Sequence, residues 1–303
     1  DRMDPRSRDA ARELIGDVVA HGTADVLDAL LDRLLCGDVG YGKTEVAMRA
    51  AFKAVVDGHK QVAVLVPTTV LAMQHYETFS QRMSGFPVRV DVVSRFRTAK
   101  QTRETLKSVE EGQIDILIGT HRLLSEDVRF RDLGLLIIDE EHRFGVRQKE
   151  ALKSLRAEVD VLTLTATPIP RTLKFSLMGA RDLSNIMTPP TNRIPITTEV
   201  QVFDMKNLKE IIEFEVYRGG QVYFVHNRVK DLIDMEVMLR RLIPDVTIKS
   251  AHGQLEGDQL EELILDFMDK KYDVLICTNI VESGVDIPNV NTIIVNNAHH
   301  FGL

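Results

Sequence analysis

Short apolar segments recur along the chain, and they are separated by stretches long enough to form helices. The earlier ones are rich in valine, isoleucine and leucine and contain few polar positions. Strands of this composition are typical of a parallel sheet that is covered on both faces. The predicted strands of this first series lie at 61–67, 88–94, 114–120, 133–140 and 159–167.

A second series of the same kind follows at 221–226, 246–252, 272–279 and 290–297. The alternation of strand and helix predicts βαβ units, and therefore an α/β protein with two doubly wound parallel-sheet domains. No tandem repeat is evident. Apolar residues recur at helical spacing between the strands, as at 45–57, 69–83, 98–111, 205–218 and 255–270.

A proline-rich segment separates the two series. Three prolines occur within 189–195, where they prevent a helix and remove backbone donors. We therefore predict a linker over about 188–198, between a first domain at 34–190 and a second at 191–303.

The two ends of the sequence fit this plan less well. Residues 7–34 have a helical pattern that is interrupted at Gly22, so we predict a helical N-terminal segment, 1–33. It either packs on the first domain or belongs to another part of a longer chain. The sequence ends at "HHFGL" without a capping pattern. We expect a piece of a larger protein, in which the second domain is C-terminally incomplete.

The composition is that of a soluble globular protein, with 44% hydrophobic and 27% charged residues. No apolar run reaches the roughly 18 residues of a membrane span, and the charged N-terminus is no secretory signal, so we predict a cytoplasmic protein without membrane contact. The two cysteines, Cys36 and Cys277, are predicted to be reduced and buried. The net charge of −7 argues mildly against a nucleic-acid-binding protein, but a local positive stripe is sufficient for one.

A glycine-rich loop follows Cys36. The sequence GDVGYGKT matches G-x-x-x-x-G-K-[ST] at every position, a pattern whose backbone N–H groups converge on phosphates. Lys43 is predicted to neutralise the β- and γ-phosphates, and the Thr44 hydroxyl to bind Mg²⁺. An ordinary turn between a strand and a helix is the simpler alternative. The predicted nucleotide-binding residues here are Gly37, Asp38, Val39, Gly40, Tyr41, Gly42, Lys43 and Thr44.

Acidic residues end the apolar strand at 133–140. Asp139 suits a Mg²⁺ ligand, bound directly or through water, and Glu140 suits the base that activates the attacking water. A solvated turn or a helix cap would explain Glu141 but not Asp139. His142 completes the pattern D-E-x-H and is predicted to lie near the nucleotide. The phosphate loop and this pattern together predict ATP hydrolysis with ATP and Mg²⁺ as cofactors, and the predicted catalytic residues are Lys43, Asp139 and Glu140.

The remaining motifs resemble those of helicase superfamily two, and they occur in the same order. The resemblance covers 34–303 and implies two RecA-like domains of the P-loop NTPase class, which close on ATP and reopen after hydrolysis. Thr165 and Thr167 are expected to link the nucleotide state to this closure. The matching segments are motif Ia at 67–79, Ib at 119–124, III at 165–170, IV at 222–228 and V at 279–289.

Several polar residues follow strands, where open α/β sheets bind ligands. Hydroxyl, imidazole and guanidinium groups there can hold DNA phosphates without reading bases. Ordinary loop polarity is the alternative, and Thr68 or Thr69 alone suits a helix N-cap. Arg95 and Arg97 can equally be solvated surface residues. The predicted DNA-binding residues are Thr68, Thr69, Arg95, Arg97, Thr120, His121, Arg122, Arg143, Asn227, Arg228 and Asn279.

Motif V adds two residues to the predicted nucleotide site. Gly284 and Asp286 match positions that lie near the γ-phosphate and the ribose in the superfamily. Asn279 stands where the superfamily often has threonine, and asparagine keeps the capacity for hydrogen bonding at this position. A turn cap is the alternative for Asp286.

The segments 139–150 and 165–173 resemble two bacterial families within the superfamily, the transcription-repair coupling factors and the fork-reversing helicases of recombination. Tyr41 and Glu141 favour the first. That family implies ATP-driven translocation on double-stranded DNA, which displaces a stalled RNA polymerase and recruits nucleotide excision repair. RNA polymerase and the damage-recognition protein would be partners through domains outside this chain. The alternative is an ATP-dependent helicase for branched DNA, such as forks and Holliday junctions.

Two family features are missing from the sequence. The first glutamine is Gln61, so no adenine-reading glutamine precedes the phosphate loop, and the arginine-finger motif would follow Leu303. We therefore expect this segment alone to hydrolyse ATP poorly. The sequence argues against two further functional classes. The second series of strands argues against an enzyme that uses its P-loop to activate a small molecule, because such an enzyme needs only one such domain. The intact Lys43, Asp139 and Glu140 argue against a module that binds DNA without hydrolysing ATP.

Overall fold

The computed structural model describes residues 32–156, 159–166, 182–190, 195–226, 228–251, 255, 257–278 and 285–300. The chain divides into two compact units, Asp1–Pro195 and Ile196–Leu303, hereafter the first and second units. This division lies within the predicted linker at 188–198. No helix of the described residues is long and apolar enough to cross a membrane.

The described part of the first unit contains a seven-stranded sheet in which all neighbouring strands are parallel. Its order is β3-β4-β2-β5-β6-β1-β7, and the five predicted strands of the first series correspond to β2 to β6. The strands are β1 (Asp32–Gly37), β2 (Gln61–Leu65), β3 (Val90–Val93), β4 (Ile116–Gly119), β5 (Leu133–Asp139), β6 (Asp160–Thr165) and β7 (Asp182–Ile186).

Helices connect the strands, as the apolar spacing predicts. Thr68 caps the second helix by accepting the Leu71 N–H, and Thr98 forms a capping box with Gln101 at the start of the third. The buried side chains of the strands form the core, which includes Leu65, Leu136 and Ile138. The helices of the first unit are α1 (Lys43–Val56), α2 (Thr69–Met83), α3 (Ala99–Glu110) and α4 (Val146–Arg156).

The edge of the sheet beyond β6 differs from the sequence prediction. Residues 32–34 were expected to end a helix, but they begin β1, which pairs with β6 and β7. The helix prediction is therefore wrong for these residues, because Leu34, Leu35 and Cys36 are buried in the sheet. The other residues of the predicted helical segment, 1–31, lie outside the described residues.

The second unit has a four-stranded parallel sheet in the order β11-β8-β10-β9. All four strands correspond to the second predicted series. Both cysteines are free and buried, and burial raises the pKa of Cys277 to about 12. The elements are β8 (Gln221–His226), β9 (Ile248–Ala251), β10 (Val274–Cys277), β11 (Val290–Asn296), α5 (Met205–Tyr217), α6 (Val229–Leu242) and α7 (Gly257–Met268).

The second sheet repeats part of the first. The order β9-β10-β8-β11 corresponds to β3-β4-β2-β5. A buried glutamine begins the first strand of each predicted series, β2 or β8, and its side-chain NH2 group makes equivalent contacts. The Gln61 side chain donates to the carbonyls of Val109 and Ile114 at 2.9 and 2.7 Å. The Gln221 side chain donates to those of Phe267 and Tyr272, both at 2.7 Å. The sequence analysis did not identify this repeat, which consists mainly of the strand order and of these hydrogen bonds.

The correspondence extends to the ends of β5 and β11. Glu140 and Asn297 each follow the last strand residue and adopt positive φ angles of 51° and 54°. Each begins a short 3-10 turn, in which the N–H of Arg143 or His300 donates to its carbonyl. The acidic pair Asp139 and Glu140 of the first unit thus corresponds to two asparagines in the second.

The backbone at Glu140 predicts how stability responds to substitution. Asparagine tolerates a left-handed conformation better than other non-glycine residues, whereas a β-branched residue is strained there. We expect Glu140→Val to destabilise the first unit by about 1–2 kcal/mol relative to Glu140→Asn. Urea unfolding of the two variants measures this difference. Equal midpoints would show that the left-handed conformation is not maintained.

The end of β4 predicts a second effect. A Cβ added at Gly119 would lie 2.8 Å from the Val93 carbonyl oxygen and 3.0 Å from Leu123 Cγ. Gly119→Ala should therefore lower the free energy of unfolding by about 1–3 kcal/mol. Gly85→Ala is the matched control, because a Cβ there meets nothing within 4 Å. Urea unfolding compares them, and equal losses would contradict the prediction.

Candidate active site

The carboxyl ends of three adjacent strands bring the predicted site residues together. In the pairing, Cys36 lies opposite Thr165, and Leu164 lies opposite Asp139. Because β5, β6 and β1 are parallel neighbours, the loops that follow them leave the same edge of the sheet. This edge is the carboxyl edge, and it holds the phosphate loop beside Asp139 and Glu140.

The phosphate loop is shaped by two glycines. Gly40 and Gly42 have φ angles of 80° and 86°, in the left-handed region that other residues rarely adopt. The Tyr41 N–H donates to the Asp38 carbonyl at 3.2 Å, which closes the turn. Gly42 is the N-cap residue of α1, and no side chain caps the helix there. The first N–H groups of a helix have no partner within it, so they are free to bind an anion.

Lys43 lies inside this loop. Its Nζ donates to the carbonyl oxygens of Gly37 and Asp38 at 2.7 and 3.1 Å. Burial lowers the pKa of Lys43, while the negative charges of Glu140 and Asp139 favour its protonated form. The ammonium group is thus held by two neutral carbonyls, near the charges of two carboxylates. A phosphate would be a stronger partner than either carbonyl.

Asp139 is the last residue of β5 and is held from the side by a helix. Its Oδ2 lies 3.0 Å from Nε2 of His75 on α2. The two side chains are only 14% and 10% exposed. The sequence reasoning did not identify His75. Its place in the matched motif Ia segment, seven residues after Thr68, was the only signal.

Glu140 has a separate set of partners. Its Oε1 accepts the Ala166 N–H at 3.0 Å, and its Oε2 lies 3.2 Å from His142 Nδ1. The Glu140 N–H donates to the Leu164 carbonyl at 3.0 Å. The residue is 9% exposed. These contacts fix the carboxylate at the carboxyl edge, and they place His142 against Glu140.

The oxygen donors at this edge fit Mg²⁺ carried by a nucleotide. Mg²⁺ usually binds one or two protein carboxylates together with phosphates and water. Asp139 would supply one carboxylate, and Thr44, in the first turn of α1, would supply a hydroxyl. Within the described ranges, no cluster of three or more His, Cys, Asp or Glu side chains could hold a metal by itself. Such a site suits a metal that arrives with its phosphates.

Among the residues predicted to contact DNA, one threonine caps a helix, two threonines are buried, and two arginines have acidic partners. Thr68 caps α2, and Thr69 and Thr120 are buried. Arg122 forms a bidentate pair with Asp127 at 2.6 and 2.5 Å, which raises the pKa of Arg122.

Arg97 contacts Asp91 at 2.7 Å and lies over the ring of Tyr76. Among the other arginines predicted to contact DNA, Arg95 and Arg228 are exposed and Arg143 is partly buried. His121 is also exposed. The first unit therefore keeps Arg95 and His121 at its surface, whereas Arg97 has a charged partner.

Asn227, Asn279 and Gly284 lie outside the described residues, as do Thr167 and the rest of motif III to residue 170. Asp286 is described and exposed.

Comparison with protein families gives two matches. Residues 19–175 match the DEAD/DEAH box helicase family, and residues 204–300 match the helicase conserved C-terminal domain. In a solved structure, RecG bound to a three-way DNA junction, the similarity extends over 100% of this chain and 40% of the RecG chain. The TM-score is 0.79 and the identity 32%.

Curated relatives are more similar in sequence. The transcription-repair-coupling factor of Myxococcus xanthus is 60% identical over 273 residues, and that of Staphylococcus epidermidis is 58% identical over the same length. In each case the match covers 90% of this chain and 23% of the relative, so the chain spans about a quarter of their length. The predicted resemblance to transcription-repair coupling factors and to helicase superfamily two is confirmed. The chain, with its parallel sheets and its phosphate loop beside Asp139 and Glu140, belongs to the DEAD/DEAH box helicase family.

Proposed function

We propose that this chain is the ATP-driven motor of a transcription-repair coupling factor, and that it moves the protein along double-stranded DNA. The observation that carries the proposal is the meeting of the phosphate loop with Asp139 and Glu140 at one sheet edge. The 58–60% identity to transcription-repair-coupling factors supports this family over others of the same fold. The displaced partner is a stalled RNA polymerase, and an excision-repair protein is recruited through regions outside this chain.

The phosphate loop and Lys43 bind the triphosphate. The β- and γ-phosphates take the place of the Gly37 and Asp38 carbonyls as partners of the Lys43 ammonium group, with further donors from the N-terminus of α1. Thr44 and Asp139 would hold Mg²⁺, which would neutralise charge on the phosphates. Through its contacts with the β- and γ-phosphates, Lys43 orients the terminal phosphate at the carboxyl edge.

Glu140 accepts a proton from the attacking water. Its Oε1 is fixed by the Ala166 N–H, and its Oε2 lies beside His142. A carboxylate whose orientation is set in advance spends less free energy on ordering during the reaction. Ala166 lies at the end of β6, in the motif III segment, so changes at Glu140 are transmitted to that segment.

The DNA contacts use exposed positive and polar side chains after the strands. Arg95, His121 and Arg228 are the best placed, because they are exposed in the described structure. Arg122 contacts phosphate only after it leaves Asp127. Asn227, Asn279, Gly284 and Asp286 keep the roles that the motifs assign to them.

A branched-DNA helicase is the second candidate, because RecG shares the fold at 32% identity. The higher identity to the coupling factors favours the first candidate. An assay for displacement of a stalled RNA polymerase by the full-length protein separates the two candidates, since a branched-DNA helicase would remodel forks without displacing the polymerase.

The proposed chemistry predicts two losses of activity. In the full-length protein, Lys43→Ala and Glu140→Gln should each lower DNA-stimulated ATP hydrolysis by about a hundredfold or more. Glu140→Gln should still bind ATP, because Lys43 and the loop are intact. Glu141→Gln is the matched control and should keep most of the activity. Steady-state rates of ATP hydrolysis with and without duplex DNA test this prediction. A wild-type rate that no nucleic acid changes would refute the proposed motor function.

Contacts with phosphates predict a steep salt dependence. Duplex binding should weaken as salt rises, and its logarithmic slope should become shallower by about one unit when Arg95 is replaced by glutamine. Arg103→Gln, an exposed change on α3, is the control and should leave the slope unchanged. Fluorescence anisotropy at several salt concentrations measures the slopes. Equal slopes for wild type and Arg95→Gln would show that Arg95 does not contact the DNA phosphates.

A further inference from the structure

We infer that His75 is a positioning residue that holds Asp139 in the orientation needed for the nucleotide-bound Mg²⁺. The inference rests on the proposed function, in which Asp139 is a Mg²⁺ ligand. It concerns a residue of α2 that lies outside the phosphate loop and outside the D-E-x-H pattern.

The contact is direct and well protected from water. His75 Nε2 lies 3.0 Å from Asp139 Oδ2, a normal hydrogen-bond distance. Both side chains are largely buried. The imidazole also makes an edge contact with the ring of Phe79, whose centroid is 6.1 Å away. Phe79 is fully buried, so the imidazole contacts a fixed ring as well as the carboxylate.

This arrangement leaves one carboxylate oxygen for the metal. An imidazole N–H bonded to Oδ2 fixes the rotamer of Asp139 and directs Oδ1 to another partner. Carboxylates that bind metals are commonly oriented by such a second hydrogen bond. The neighbouring Glu140 is held independently by Ala166 and His142. Each carboxylate of the pair therefore has its own donor among the described residues, His75 for Asp139 and Ala166 for Glu140.

A purely structural histidine would behave differently. Removing the imidazole weakens the packing of α2 in any case, because His75 and Phe79 are buried. Packing damage would weaken nucleotide binding to a similar extent with and without Mg²⁺. Loss of orientation at Asp139 would weaken only the part of binding that Mg²⁺ contributes. The ratio of the two affinities separates these effects.

The test measures binding of a fluorescent, non-hydrolysable ATP analogue to the full-length protein, with Mg²⁺ and with EDTA. In wild type, Mg²⁺ should tighten binding, and Asp139→Asn should abolish most of that gain. His75→Leu should reduce the gain by about tenfold or more. His75→Gln should restore it, because the Gln amide places a donor near the position of Nε2. Met83→Leu, a buried change on the same helix, is the packing control and should keep the full gain.

The possible outcomes separate the inference from the proposed function. If Asp139→Asn reduces the Mg²⁺ gain but His75→Leu does not, the role of His75 is overturned and the proposed function stands. If Asp139→Asn has no effect, the metal assignment fails and the role of His75 fails with it. Should His75→Leu not fold, His75→Asn is compared with His75→Gln. Its shorter amide cannot reach Asp139, so an equal gain in both variants would overturn the inference.

Discussion

The parallel pairing of β1, β5 and β6 is the constraint on which the rest of the first unit depends. Most residues of these strands are buried, so the strands are stable only when both faces of the sheet are covered. Parallel neighbours end at the same edge, and polar residues can follow only where the strands leave the core. Burial of apolar side chains thus brings Lys43, Asp139 and Glu140 together, although about a hundred residues separate the first from the other two.

The charges at this edge stabilise one another at some conformational cost. Lys43 is partly buried, which disfavours its charge, but the two carboxylates beside it offset that effect. Asp139 and Glu140 are themselves poorly exposed, and each accepts a hydrogen bond that limits the cost of burial. Glu140 also adopts a positive φ angle, which is unfavourable for glutamate. The site is therefore ordered before any nucleotide binds.

The sequence predicted the parts of the fold that are encoded locally. The strands β2 to β6 and the phosphate loop can be recognised because each is a continuous pattern of a few residues. β7 was missed because "DLSNI" is largely polar and forms a strand only by pairing with β1, nearly 150 residues away. His75 was missed for the same reason, since its partner belongs to another element. Arg122 looked available for DNA, and only the structure places Asp127 against it.

The turn after β5 recurs after β11 in the second unit, where asparagine replaces the glutamate, so the shape of the turn does not depend on the acidic side chain. Glu140 and Asn297 occupy the same left-handed position at the start of the same 3-10 turn. Asparagine accepts that conformation at little cost, whereas glutamate is strained in it. The turn is thus compatible with either residue, and hydrogen bonding of the strands sets its geometry in both units. Because asparagine is the more favourable residue there, the glutamate of the first unit is explained better by its proposed catalytic role than by stability.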